Sequence, residues 1–404
     1  MMDKMTIAIP APVQWALTRL REAGHEAVLV GGCVRDALMG KEPQDYDAAT
    51  SARPEEIMRV FDGEQLSLKG LKHGTVTLIR DGMDIEITTY RIDGAYADHR
   101  RPEQVIFTDG LKEDVMRRDF TINALCYGED GVIDLVGGVD DIKARIIRCV
   151  GDPVERFRED ALRIMRAFRF SAVLGFDIEP ETARAIAQEQ ALLRFIAAER
   201  IGDELLKLLA APHAPAVLNC WRTIGFDAEN ILPGTSGIDW DSAAARISNV
   251  EKTPVMLLAA LFADCPDALD TLRISSRMKA RALLLIKNRR KIIKPKRPSM
   301  RALAARLGFE AANQLIALKI SEAKNPAWLT DARTLLQEVE RDGDCVSLRQ
   351  LAISGRHIKR MAAEPREIGE ALQYLLERVM EGTVSNERGA LREKAKAWFA
   401  KKKQ

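Results

Sequence analysis

Apolar residues recur every three or four positions from Pro12 to Ala23, which predicts an amphipathic helix with its proline in the first turn. Glu26 to Val30 (EAVLV) reads as a buried strand, followed by a Gly-Gly turn and a short helix from about Val34 to Met39. Strand-like runs return at Thr75 to Arg80, Met83 to Tyr90 and Gln104 to Phe107. Strands mixed with helices in this way predict an α+β head. Beyond Gly151 strand signals almost vanish. Helical periodicity runs from Val154 to Leu174, Glu181 to Leu193 and Ala198 to Ala210, then onward to Trp398, so the remainder reads as all-α. Breaks fall at AAPHAPA (Ala210 to Ala216) and KPKRPS (Lys294 to Ser299). The expected divisions are a head (1–150), a helical neck (151–212), a helical body (213–298) and a helical tail (299–404).

Composition narrows the function classes. A length of 404 residues suits about two to four domains. The 61 Lys and Arg nearly balance 59 Asp and Glu, so any polyanion must be held by local clusters of basic residues. Six cysteines without CxxC spacing disfavour a zinc site or a disulfide framework and suit a reducing cytoplasm. There is no signal-like N-terminus and no apolar run approaching the ~20 residues that span a bilayer, so a cytoplasmic protein without membrane contact is expected. Five histidines, none in an HD pair or at ligand spacing from another, disfavour a histidine-based hydrolase.

The chemistry concentrates in LVGGCVRDALMGKEPQDYDAAT, Leu29 to Thr50. Paired glycines between a strand and a helix let backbone N–H groups approach an anion, and Arg35 lies one turn further on. If Asp45-Tyr46-Asp47 is a strand, its two carboxylates face one side, as hard divalent cations require. The run Met83 to Ile87 supplies a third carboxylate, Glu86 or its neighbour Asp84 on the same face. Such a set suits in-line phosphoryl transfer with Mg²⁺, in which the protein positions groups and stabilises charge.

These motifs resemble the bacterial tRNA nucleotidyltransferase/poly(A) polymerase family, class II, whose head is DNA polymerase β-like. RRDFTINAL (Arg117 to Leu125), IDLVGGVDDI (Ile133 to Ile142), REDALRIMRAFRF (Arg158 to Phe170) and ERIGDEL (Glu199 to Leu205) continue the likeness in order. The resemblance implies a polymerase β-like mixed sheet with helices, followed by helices alone. It implies Asp45 and Asp47 as metal ligands and, with Glu86, as catalytic carboxylates. Gly32, Arg35, Arg118, Asp160, Arg163, Arg166 and Arg169 match nucleotide-binding positions. The implied activity adds CMP, CMP and AMP to a tRNA 3′ end from CTP and ATP, with no obligate protein partner. A poly(A) polymerase, an A-adding or a CC-adding enzyme shares the same head motifs.

Asp160 and Arg163 also carry an argument of their own. They lie three apart, so on a helix they share a face, and a carboxylate beside a guanidinium complements the edge common to cytosine and adenine. Uracil and guanine present the reverse pattern. Two further segments are candidates for conformational change and RNA contact. Arg91 to Phe107 resembles the family's mobile loop, expected to reposition the site between C and A addition. Lys287 to Arg297 (KNRRKIIKPKR) holds seven basic residues in eleven, dense enough to meet several phosphates.

Overall fold

The computed structural model describes residues 7–93, 105–362 and 364–402. The chain divides into two compact units, Met1–Ser236 with Asp270–Arg273, and Gly237–Leu269 with Ile274–Gln404.

The first unit opens with α1 (Ala11–Glu22), which buries Val13, Ala16, Leu17 and Leu20 at helical spacing. The strands are β1 (Ala27–Val30), β2 (Tyr46–Thr50), β3 (Gln65–Ser67), β4 (Thr75–Arg80), β5 (Met83–Thr89), β6 (Arg91–Asp93), β7 (Val105–Phe107), β8 (Cys126–Gly128) and β9 (Gly131–Ile133). Seven of them form one sheet in the order β3-β4-β5-β2-β1-β8-β9, while β6 and β7 pair separately. Neighbours in the large sheet are antiparallel except β2 and β5, which run parallel.

The central strand β1 is buried at every residue. Leu29 and Ala27 pack with α1 residues and Ile57 on one face, while Val28 and Val30 join Tyr90, Val115 and Cys126 on the other. This two-sided burial explains the uninterrupted apolar run in EAVLV. By contrast β5 alternates: Ile85, Ile87 and Thr89 are buried, whereas Asp84 and Glu86 are exposed. The short strands β3, β8 and β9, three residues each, lie at or near the sheet edges and were not legible as periodic runs.

Helices follow the head almost without strands; Ile146–Ile147 and Asp177–Ile178 form one short parallel pair. The single helix expected from Val154 to Leu174 is two helices, Pro153–Glu159 and Leu162–Leu174. Asp160 between them is extended (φ −141°, ψ 102°), and its carboxylate accepts a hydrogen bond from the Leu162 N–H at 3.1 Å. An Asp competes for backbone donors in this way, and the apolar period alone does not reveal it. Contrary to expectation, Asp160 therefore does not share a helix face with Arg163, because it lies outside both helices.

The second unit is helical throughout its described residues, from Trp240–Ser248 to Arg388–Lys402. Inside it Arg246 and Arg289 converge on Asp264, at 2.8 and 3.0 Å. Arg297 and Arg301 both pair with Asp344, each at 2.6 Å.

Candidate active site

Gly31 sits where β1 gives way to the helix Gly32–Leu38, with φ +83°, a conformation that favours glycine. Its N–H donates to the Leu125 carbonyl at 3.0 Å, tying the turn to the chain just before β8. A Cβ at Gly31 would lie 3.7 Å from Arg118 Nη1, and one at Gly32 would lie 3.7 Å from Arg35 Nη2. Two guanidiniums thus flank the paired glycines. Arg35 is nearly buried, donating to Asp36 at 2.8 Å and to the Asn123 side chain at 2.5 Å.

The acidic group lies on the adjacent strands. Tyr46 and Ala48 point into the core, so Asp47 takes the opposite face of β2. The parallel ladder places Asp47 directly beside Glu86, and Asp45 immediately precedes the strand. Asp47 keeps an exposed surface, yet the surrounding protein raises its carboxyl, as do the Glu86 and Asp45 charges. Against the pull of Arg118, the result is a value of about 6. Of the two possible third carboxylates, Glu86 is the one opposite Asp47 in the ladder.

Arg118 owes its position to Asp114, which is buried and missed by sequence reasoning. Asp114 accepts from Arg118 at 2.9 Å and from Arg117 at 2.6 Å. Burial alone would raise the Asp114 carboxyl, but the Arg118 and Arg117 charges outweigh it and hold it below the ordinary range.

The helical residues named from sequence lie in Asp160 to Arg169, each with a partner. Asp160 pairs with Arg200 at 2.8 Å, Arg163 with Glu159 at 2.6 Å, Arg166 with Asp119 at 2.6 Å and Arg169 with Glu204 at 2.8 Å. Asp160 and Arg163 are thus each held by a different counter-ion. Arg163 also donates to the Arg117 carbonyl at 2.9 Å, and Arg156 donates to the Met116 carbonyl at 3.1 Å, so both helices hold the segment that carries Arg118. Arg200 and Glu204 reach their partners only through the fold, whereas Asp114 and Glu159 stand three or four residues from Arg117, Arg118 and Arg163, a spacing already present in the sequence. Arg35, Arg166 and Arg169 meet around Phe170, which joins the glycine turn to the second helix. Most of the loop expected between Arg91 and Phe107 lies outside the described residues.

Known proteins resemble this chain in sequence and fold. Residues 27–148 match the Poly A polymerase head domain, and residues 175–225 match the family described as probable RNA and SrmB-binding site of polymerase A. A CCA-adding enzyme of Limosilactobacillus fermentum is 52% identical over 199 residues, a stretch spanning about half of each chain (49% of both). The CCA-adding enzyme of Limosilactobacillus reuteri is 36% identical over 97% of both chains. The crystal structure of the Bacillus stearothermophilus CCA-adding enzyme in complex with CTP superposes with a TM-score of 0.81, at 29% identity and covering 98% of each chain. Likeness that runs through the acidic sheet, the glycine turn and the helical remainder alike shows that this chain belongs to the CCA-adding enzyme family.

Proposed function

We propose that this protein is a tRNA nucleotidyltransferase that adds CMP, CMP and AMP to the tRNA 3′ end from CTP and ATP without a nucleic-acid template. The observation that carries this reading is the Asp47–Glu86 pair on β2 and β5, near the Gly31 turn and Arg118. Family membership and the CTP complex of the Bacillus stearothermophilus relative support the substrate class.

Asp45 and Asp47 offer the oxygen donors that Mg²⁺ prefers, and the raised Asp47 carboxyl marks an excess of negative charge that a cation relieves. When bound, Mg²⁺ would neutralise the triphosphate and acidify the attacking 3′-hydroxyl. Glu86 stands beside Asp47 as the third carboxylate. Gly32 and Arg35 would lie along the phosphates, with Arg118 on the other side of the turn. Asp160, Arg163, Arg166 and Arg169 are assigned to the nucleotide. A carboxylate accepts from the amino group that cytosine and adenine share, and a guanidinium donates to the adjacent ring nitrogen. Uracil or guanine would leave those groups unpaired, costing roughly 1–3 kcal/mol for each. Because the helix breaks at Asp160, that pairing depends on Arg200 and Glu159 holding the two side chains rather than on helix spacing.

We assign residues 151–212 to a neck, 213–298 to a body and 299–404 to a tail that grips tRNA through its backbone. The free cysteines fit a reducing cytoplasm, and no described helix is long and apolar enough to cross a membrane. The test supplies tRNA lacking its last three nucleotides with labelled CTP, ATP or both. Extension by three nucleotides, complete only when both are present, is expected. Long A tracts would indicate a poly(A) polymerase, and a halt after CC with ATP present would indicate a CC-adding enzyme; either outcome overturns the reading.

A further inference from the structure

We propose that Phe170 is a positioning residue of the nucleotide site, its ring gathering the guanidiniums of Arg35, Arg166 and Arg169 into one cationic surface for the incoming triphosphate. The guanidinium carbons lie 5.5, 5.3 and 4.2 Å from the centroid of that single ring. Attraction of a guanidinium to an aromatic face operates within about 6 Å, and it strengthens where water is excluded. Phe170 is only 9% exposed, and its ring meets the fully buried Phe120 edge-on at 5.9 Å. The platform is therefore fixed from beneath.

Three like charges repel one another at this range. Arg169 shows it: burial lowers its proton affinity, and the Arg166 and Arg35 charges add to that effect against Glu204. Each arginine is restrained by its own carboxylate, Asp36, Asp119 or Glu204. Those three carboxylates come from three separate parts of the chain and do not by themselves bring the guanidiniums together. The element common to all three is the ring. A guanidinium carries five N–H donors, and the contacts of Arg166 with Asp119 engage only Nε and Nη2. Donors thus remain on the gathered surface, beside the Gly32 position that Arg35 flanks. A triphosphate, with charge spread over three groups, matches such a surface.

The inference rests on the proposed nucleotidyl transfer, and two measurements separate their failures. The first is the KM and kcat of CMP addition by full-length Phe170→Leu and Phe170→Tyr proteins. The second is direct binding of inorganic triphosphate, which needs no turnover. Phe170→Leu should raise the KM for CTP and ATP roughly tenfold, change kcat less than about threefold, and weaken inorganic triphosphate binding to a similar degree. Phe170→Tyr, which keeps the aromatic face, should restore both. Should the Leu protein fail to fold, Phe170→Met carries the same expectation. Unchanged KM and triphosphate affinity in a folded non-aromatic variant would overturn the proposal, as would a loss that Tyr does not restore. Triphosphate binding that follows this pattern in a wild-type protein unable to extend tRNA would overturn the enzymatic reading and leave the platform standing.

Discussion

Asp47 carries a cost in stability that its proposed role in the chemistry would account for. Folding raises its carboxyl from the ordinary range to about 6, so ionisation at neutral pH opposes folding. The stability lost this way grows as pH climbs from the ordinary carboxylate range through about 6, and it stays lost above that. Asp47→Asn should therefore melt higher than wild type above pH 6 in cation-free buffer, with the gap closing near pH 4. The same variant should incorporate nucleotide at least about 10³-fold more slowly, while tRNA binding is nearly unchanged. Calorimetry in the presence of a chelator checks the first part, and gel-based extension the second. A variant less stable than wild type at pH 8 would mean that Asp47 is electrostatically satisfied without a cation. The acidic pair was legible because alternation in MDIEI and DYDAA shows which side chains leave the core. The buried Asp114 was overlooked although it stands three and four residues before Arg117 and Arg118; the spacing was in the sequence, but the burial that makes it matter comes from the fold.

Among the elements, long periodic ones were read correctly and interrupted ones were not. The helix Ala11–Glu22 and the strands β1, β4 and β5 follow their hydrophobic spacing to within a residue or so. The break at Asp160 escaped because apolar residues keep helical spacing on both sides, although one carboxylate there caps the next helix. The short strands β3, β8 and β9 escaped because pairing, not pattern, makes them strands. The turn between β1 and its helix invites a direct test. At Gly31 a methyl group meets nothing closer than 3.7 Å, so space is not the obstacle to a side chain; the φ of +83° is. Gly31→Ala should cost about 1–3 kcal/mol of stability and shift the turn between Arg118 and Arg35. Chemical denaturation together with CTP titration would reveal both effects. An Ala variant of wild-type stability and CTP affinity would show that the turn tolerates the strain.

For the whole molecule, near-neutral charge conceals how the arginines are used. In the run Lys287 to Arg297, Arg289 is spent on Asp264 and Arg297 on Asp344 and Asp342. Lys287, Arg290, Lys291, Lys294 and Lys296 remain exposed, so the density counted from sequence overstates what RNA can meet. Replacing Lys291 and Lys294 together with alanine should weaken tRNA binding and reduce the slope of log affinity against log salt by about 2. Filter binding over a salt series would measure it, and an unaltered slope would remove this face from the RNA contact. Sheet order also dictates a sequence of assembly as the chain leaves the ribosome. Asp47 and Glu86 can align once β5 has emerged, but the glycine turn gains its Leu125 hydrogen bond only when β8 arrives to pair with β1. A nascent chain therefore carries its acidic pair before the turn proposed to hold the phosphates is finished, and ribosome-bound fragments ending before Leu125 should be unable to retain a nucleotide.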